Sequence, residues 1–138
     1  MAQLASQNAA AQRLMPLEGG GAVTATAMVA TIGNGKAFKN GRPCAAWLGL
    51  VPRQYSSGGK QRLGHISKRG DVSRRTRLIH GARSILRLTG QRTDAKSRWA
   101  ERLKQRRGNN IAAVALAAKH ARMMWAMLAR DQEYRRVA

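Results

Sequence analysis

The chain has 138 residues and a mass of 15.1 kDa, enough for one domain but not for two full cores. It carries 26 Lys and Arg against 6 Asp and Glu, a formal charge of +20 with a pI near 12.0. That balance excludes an acidic solvating chain and argues against an ordinary metabolic enzyme. It points to a polyanionic partner, nucleic acid first, because so basic a surface neutralises phosphates and releases counterions.

An apolar fraction of 43% supports a core, but a thin one: aromatics are only 4%, and much of the rest is alanine. Cys44 is the single cysteine, so no internal disulfide or zinc knuckle is expected and a reducing cytoplasm fits. The six acids, Glu18, Asp71, Asp94, Glu101, Asp131 and Glu133, show no metal-ligand spacing. The apolar runs fall short of the roughly 20 residues of a membrane span, so no membrane partner is expected. Met1 to Arg13 lacks the pattern of a signal peptide.

In chain order, residues 1–15 read as the end of a preceding helix or linker, broken at Pro16. The triplet Gly19-Gly20-Gly21 leads into a helix over about 22–30, with Val23, Ala27 and Ala30 on its inner face. Ile32-Gly33-Asn34-Gly35 supplies its C-cap and turn. A short apolar segment, Ala45 to Leu50, closes at Pro52. Residues 53–70 are glycine-rich and read as an extended loop or short hairpin. Asp71 or Ser73 is positioned to cap a helix running to about Leu88, with Leu78, Ala82 and Ile85 inward. A basic helix over 95–107 pairs Trp99 with Leu103. The last helix, over 111–130, places Val114, Ala118, Ala121, Trp125 and Leu128 on one face. The expected fold is mostly α: a helix-hairpin-helix-like opening, a glycine-rich loop or short hairpin in the middle, and a helical C-terminal half. The domain spans 16–130, with a basic tail over 131–138.

Two segments have residues suited to phosphate chemistry. A helix, a glycine turn and a second helix present backbone N–H groups to a phosphate, although a plain turn between packed helices fits the same pattern. Tyr55-Ser56-Ser57-Gly58-Gly59-Lys60 places serines on a glycine-flexed segment among Lys60, Arg62, Lys68, Arg69, Arg74 and Arg75. A phosphodiester nucleophile needs that combination, while a solvated serine-glycine turn is the alternative. His65, His80 and His120 follow no metal spacing, and His80 reads as a core or interface histidine. Lys96, Arg98, Arg102, Lys104, Arg106 and Arg107 read either as a solvated helix face or as one that tracks phosphates. Cys44 and the stripe Met123, Met124 and Met127 read as packing.

An ordered set of segments carries a resemblance. It runs from Gly19–Ala27 and Ile32-Gly33 through Phe38–Arg42, Ala45–Gln54, Ser56–Lys60 and Leu63–Gly70 to Leu78–Arg83. Together they resemble the C-terminal transposase domain of bacterial insertion-sequence transposases that pair a RuvC-like nuclease domain with a serine-bearing domain. The resemblance implies DNA transposition and recombination, with an element-encoded guide RNA and attack of a serine on DNA to give a phosphoserine intermediate. On this chain the nucleophile would be Ser57, with Ser56 as second choice. Gly19, Gly21, Thr24, Lys60, Arg62, Lys68 and Arg69 would contact DNA or RNA. No cofactor is expected on this chain; Mg²⁺ belongs to the RuvC-like domain, which would act in trans, and assembly into homo-oligomers is implied. The alanine-rich last helix offers a contact face. Gly19-Gly20-Gly21-Ala22 stands where the family has Gly-Ile-Gly-Pro. Ser73, Arg74 and Arg77 occupy positions that are apolar in the family, and arginine on a core face is costly. Those departures suggest a truncated or decaying copy, inactive alone. The competing reading is a small non-enzymatic basic nucleic-acid-binding protein, ribosomal or nucleoid-like.

Overall fold

A computed structural model describes residues 9–17, 21–50, 52–57, 60–66, 72–130 and 134. Ala22 and the described residues among 52–74 are described by backbone alone. The architecture is mostly helical, with one two-stranded ribbon inserted after the third helix.

Helix α1 (Ala9–Leu14) stops just before Pro16, whose ring and missing N–H cannot continue the hydrogen-bond ladder. It buries Ala11 and Leu14, and its Arg13 guanidinium donates to the Met127 carbonyl at 3.2 Å. Helix α2 (Ala22–Ile32) follows Gly21 and ends at Gly33, whose N–H returns to the Val29 carbonyl at 2.9 Å. The expected inner face of α2 is corrected. Ala25, Met28 and Ile32 are buried, whereas Val23 is 42% exposed and Ala30 is exposed. A helix apolar on nearly every side has no pattern to choose its face; packing against α1 chooses it.

Residues 41–47 form a helix, α3 (Gly41–Trp47), where only an apolar segment was expected. Asn40 starts it, its side-chain oxygen accepting the Arg42 N–H at 3.0 Å. Cys44, Ala45, Leu48 and Leu50 are buried behind it, and the Phe38 and Trp47 rings meet at 5.9 Å, tilted by 54°. The central segment then resolves as a hairpin, β1 (Pro52–Ser57) antiparallel to β2 (Lys60–Ile66).

Helix α4 (Val72–Leu86) buries Leu78, Ala82 and Ile85 as expected. It ends two residues before Leu88, and Thr89–Gln91 adds a 3-10 turn. Arg77, expected to burden the core face, is exposed, so that cost is absent there. Of the expected capping residues, Asp71 lies outside the described residues. Helix α5 (Ala95–Arg107) is capped by Asp94, which accepts from the Ser97 N–H at 3.1 Å and hydroxyl at 2.8 Å.

Helix α6 (Asn109–Ala129) is the centre of the fold and packs against every other helix. It buries Ala112, Ala113, Leu116, Ala117, Ala118, His120, Ala121, Met124, Trp125, Met127 and Leu128. This corrects the expected oligomer contact face: the alanines are consumed inside the chain, where small side chains let α3 and α4 approach closely. At 21 residues α6 is also long and apolar enough to cross a membrane, contrary to the expectation of only short apolar runs. Its most apolar stretch is 61% buried in the fold, which accounts for the composition as that of a core helix.

Gly35 locks the far end of α6. Its φ of +74° suits glycine, and a Cβ there would lie 2.9 Å from the Ala129 Cβ. Its carbonyl accepts the buried Trp125 indole N–H at 2.9 Å.

Candidate nucleic-acid interface

The hairpin register arranges the expected catalytic segment. Ser57 pairs with Lys60, Ser56 with Gln61, Tyr55 with Arg62 and Gln54 with Leu63. Two residues, Gly58 and Gly59, separate the innermost pair in sequence and lie outside the described residues. Positions two apart along a strand share a face with their cross-strand partners, so the register puts positions 55, 57, 60 and 62 on one face of the ribbon. Ser56 and Gln61 fall on the other. The register thus groups Ser57, rather than Ser56, with the two cations. It shifts between Pro52 and Gln54, leaving the tip regular. Lys68 and Arg69 lie outside the described residues.

The opening helices α1 and α2 pack against each other. Gly19 and Gly20 lie outside the described residues, so the glycine turn is described only at its last member. Gly21 precedes α2 with no side-chain cap, and a Cβ added there would meet nothing within 4 Å. Packing within the described residues therefore does not demand glycine at 21. Thr24 is half-buried in the first turn of α2.

On the helical half, a cleft of about 410 Å³ opens between α4, α5 and the start of α6, lined by Arg83, Leu86, Arg87, Lys104, Asn109 and Asn110. Arg83 on α4 and Arg87 in the turn just after it are both exposed. Lys104 is tied down, donating to the Leu86 carbonyl at 3.2 Å and to Glu101 at 2.8 Å. Hydrogen bonds from Lys104 and Thr89 hold the Glu101 carboxyl below its usual range. In the first turn of α4, away from this cleft, one nitrogen of the half-buried Arg75 guanidinium has no hydrogen-bond partner among the described residues.

The run over 96–107 divides. Arg98, Arg102, Arg106 and Arg107 are exposed, but Lys96 turns inward to His120 at 3.1 Å and to the Tyr134 hydroxyl at 3.3 Å. An ammonium only donates, so the contact is a hydrogen bond in the tautomer that leaves His120 Nε2 free to accept. His80 is exposed rather than in the core, and His120 is the buried histidine among the described residues, 1% exposed. Burial pushes the Cys44 thiol up to about 11, which suits packing and not nucleophilic chemistry. Among the described residues no group of three His, Cys, Asp or Glu is gathered. Sequence reasoning passed over Arg42, Arg122 and Arg130, which the fold brings to one cleft; no local signal links positions so far apart.

Residues 11–98 match the Transposase IS116/IS110/IS902 family. This chain belongs to that family. A probable family 20 transposase of Pseudomonas aeruginosa is 56% identical over 124 residues, covering 90% of this chain and 37% of the relative. The transposase for insertion sequence element IS1111A of Coxiella burnetii is 48% identical over 132 residues, covering 96% of this chain and 36% of its own length. The transposase for insertion sequence element IS1328 of Yersinia enterocolitica is 40% identical over 115 residues, covering 83% and 34%. The chain thus spans about a third of the length of these IS116/IS110/IS902 relatives.

Proposed function

We propose that this member of the IS116/IS110/IS902 family serves DNA transposition as a DNA-binding domain whose ribbon carries the nucleophile, Ser57. The observation that carries the reading is the register that groups Ser57 with Lys60 and Arg62. In the proposed step the Ser57 hydroxyl oxygen attacks a DNA phosphorus. An O–P bond to serine forms as the bond to one deoxyribose oxygen breaks. The serine proton leaves to solvent or a base, and the departing sugar oxygen takes up a proton. Lys60 and Arg62 are assigned the phosphate, stabilising the charge that develops on its oxygens. Gly19, Gly21, Thr24, Lys68 and Arg69 are assigned to the nucleic-acid backbone, with Arg75 and the α4 arginines beside them.

Two further components belong to this proposal: a RuvC-like domain and a guide RNA that selects DNA, both in the bacterial cytoplasm. Mg²⁺ would be that domain's to hold. The ion needs several oxygen ligands, and the described carboxylates of this chain do not fit it: Asp94 caps α5 and Glu101 pairs with Lys104. Assembly into homo-oligomers is also proposed, through a surface other than the buried face of α6.

The test is a denaturing gel of the chain mixed with labelled element-end DNA and a RuvC-like domain. The wild type is expected to give a covalent protein–DNA adduct and Ser57→Ala none, with DNA affinity retained. Ser56→Ala should keep the adduct. If the wild type forms no adduct with that domain supplied but still binds DNA, the chain is a non-enzymatic nucleic-acid-binding protein.

A further inference from the structure

A second cleft, of about 460 Å³, lies between the start of α3 and the C-terminal half of α6, lined by Asn40, Gly41, Arg42, Arg122, Trp125 and Arg130 among others. Its walls are brought together by the absence of one side chain. A Cβ at Gly41 would lie 3.0 Å from the Arg122 Cβ and 3.1 Å from its Cα, so α3 begins almost on the backbone of α6. That approach sets Arg42 and Arg122 on facing helices. Arg130 reaches the same lining, its guanidinium 5.4 Å from the centre of the Trp125 ring.

Nothing anionic among the described residues answers these charges. The described acids are Asp94 and Glu101, both engaged around α5. Burial disfavours the Arg122 charge, and repulsion from Arg42 adds to it, holding that guanidinium below its usual range. Three guanidiniums around one cleft oppose one another in the free protein. They become favourable when an anion with several oxygens enters, because each offers a planar fork of donors. Arg42 and Arg130 are exposed and Arg122 is half-buried, so among the described residues the rim is open to a continuous strand.

We propose that the Arg42, Arg122 and Arg130 cleft is a subsite for a phosphate of a nucleic-acid backbone, separate from the serine ribbon. The proposal rests on the nucleic-acid reading above and adds a contact on the helical half of the chain. Arg122 is the anchor, on the stretch of α6 that Gly41 approaches closely. Arg42 and Arg130 close over the phosphate from the solvent side.

The test is fluorescence anisotropy of the full chain with a short DNA duplex and, separately, an RNA hairpin of matched length, each across a salt series. Arg122→Gln should lower the slope of log affinity against log salt by about 0.9, the value of one lost phosphate contact on duplex DNA. Arg42→Gln combined with Arg122→Gln should lower it by less than twice that, because both grip one phosphate. Arg102→Gln, at an exposed α5 position outside the cleft, measures the loss of one surface charge. A response with the duplex alone assigns the subsite to DNA, with the hairpin alone to RNA, and with both to a shared backbone track. If Arg122→Gln changes neither slope more than Arg102→Gln does, the subsite is refuted while the binding reading stands. If the wild type binds neither nucleic acid, the underlying reading fails instead.

Melting temperature separates structure from binding. Arg122→Gln is expected to melt at or above the wild type, since it removes a repelled charge. If it melts lower, Arg122→Lys, which keeps the charge, must restore the salt slope; failure to do so overturns the proposal. A melting temperature raised by inorganic phosphate through Arg122, with no effect of the variant on either nucleic acid, would make this a small-anion site and overturn the backbone assignment.

Discussion

The two halves of this molecule are built on opposite terms. Around α6 nearly every turn is buried against another helix, and several polar groups inside are paired: Trp125 with Gly35, Asp94 with Ser97, Lys96 with His120. Among the described elements the β1–β2 ribbon contacts only itself: its backbones pair with each other and approach no helix. A lone two-stranded hairpin is marginal in water, so the ribbon's order depends on what it meets, whereas the order of the helical half does not. The segment assigned the chemistry is thus the one whose substitution costs the fold least.

Hydrogen exchange should display the largest difference. Amides in the middle of α6, around Leu116 and Ala117, are expected to exchange only through global unfolding, and those of β1 and β2 close to the free rate. Adding duplex DNA should slow the ribbon and leave α6 unchanged. Equal protection of both regions in the free chain would break the comparison.

Substitutions sharpen it in descending order. Leu116→Ala, at a fully buried position, should lower unfolding free energy by about 2–5 kcal/mol in urea titration, while Ser57→Ala should move it by less than about 0.5 kcal/mol. Trp125→Phe leaves the Gly35 carbonyl without its donor and should cost about 1–3 kcal/mol. Asp94→Ala removes the cap of α5 and should cost about 0.5–2 kcal/mol by the same titration.

The smallest effect is one of pH. The Glu101 carboxyl titrates below its usual range because Lys104 and Thr89 bind its charged form. Its contribution to stability is therefore present above the ordinary carboxyl value and lost as pH falls through the lowered one. Melting curves between neutral and strongly acid pH should show that loss, and Glu101→Gln should reduce it. An identical acid profile in the variant would remove Glu101 from the account of the helical half.

Much of this was legible in the residues because it is local. Pro16 ended α1, Gly33 ended α2, and glycine with β-prone neighbours marked the hairpin. The ordered segments from Gly19 to Arg83 carry the resemblance to a transposase family that the family match bears out. Three features were not legible. Helix α3 was missed because its signal is one asparagine before a short segment containing proline. The buried face of α2 was misread because an apolar helix has no polar side to exclude. The alanines of α6 were taken for a contact surface because small residues serve equally within a chain and between chains.

The sequence by itself determined the charge, the helix ends and the family, since these follow from residue chemistry and short-range hydrogen bonding. Tertiary structure decided which α2 face is buried, that α6 is the core helix, and that Arg42, Arg122 and Arg130 share one cleft. The reason is physical: burial and like-charge proximity depend on which surfaces meet, and residues distant in the chain meet only once the helices have packed.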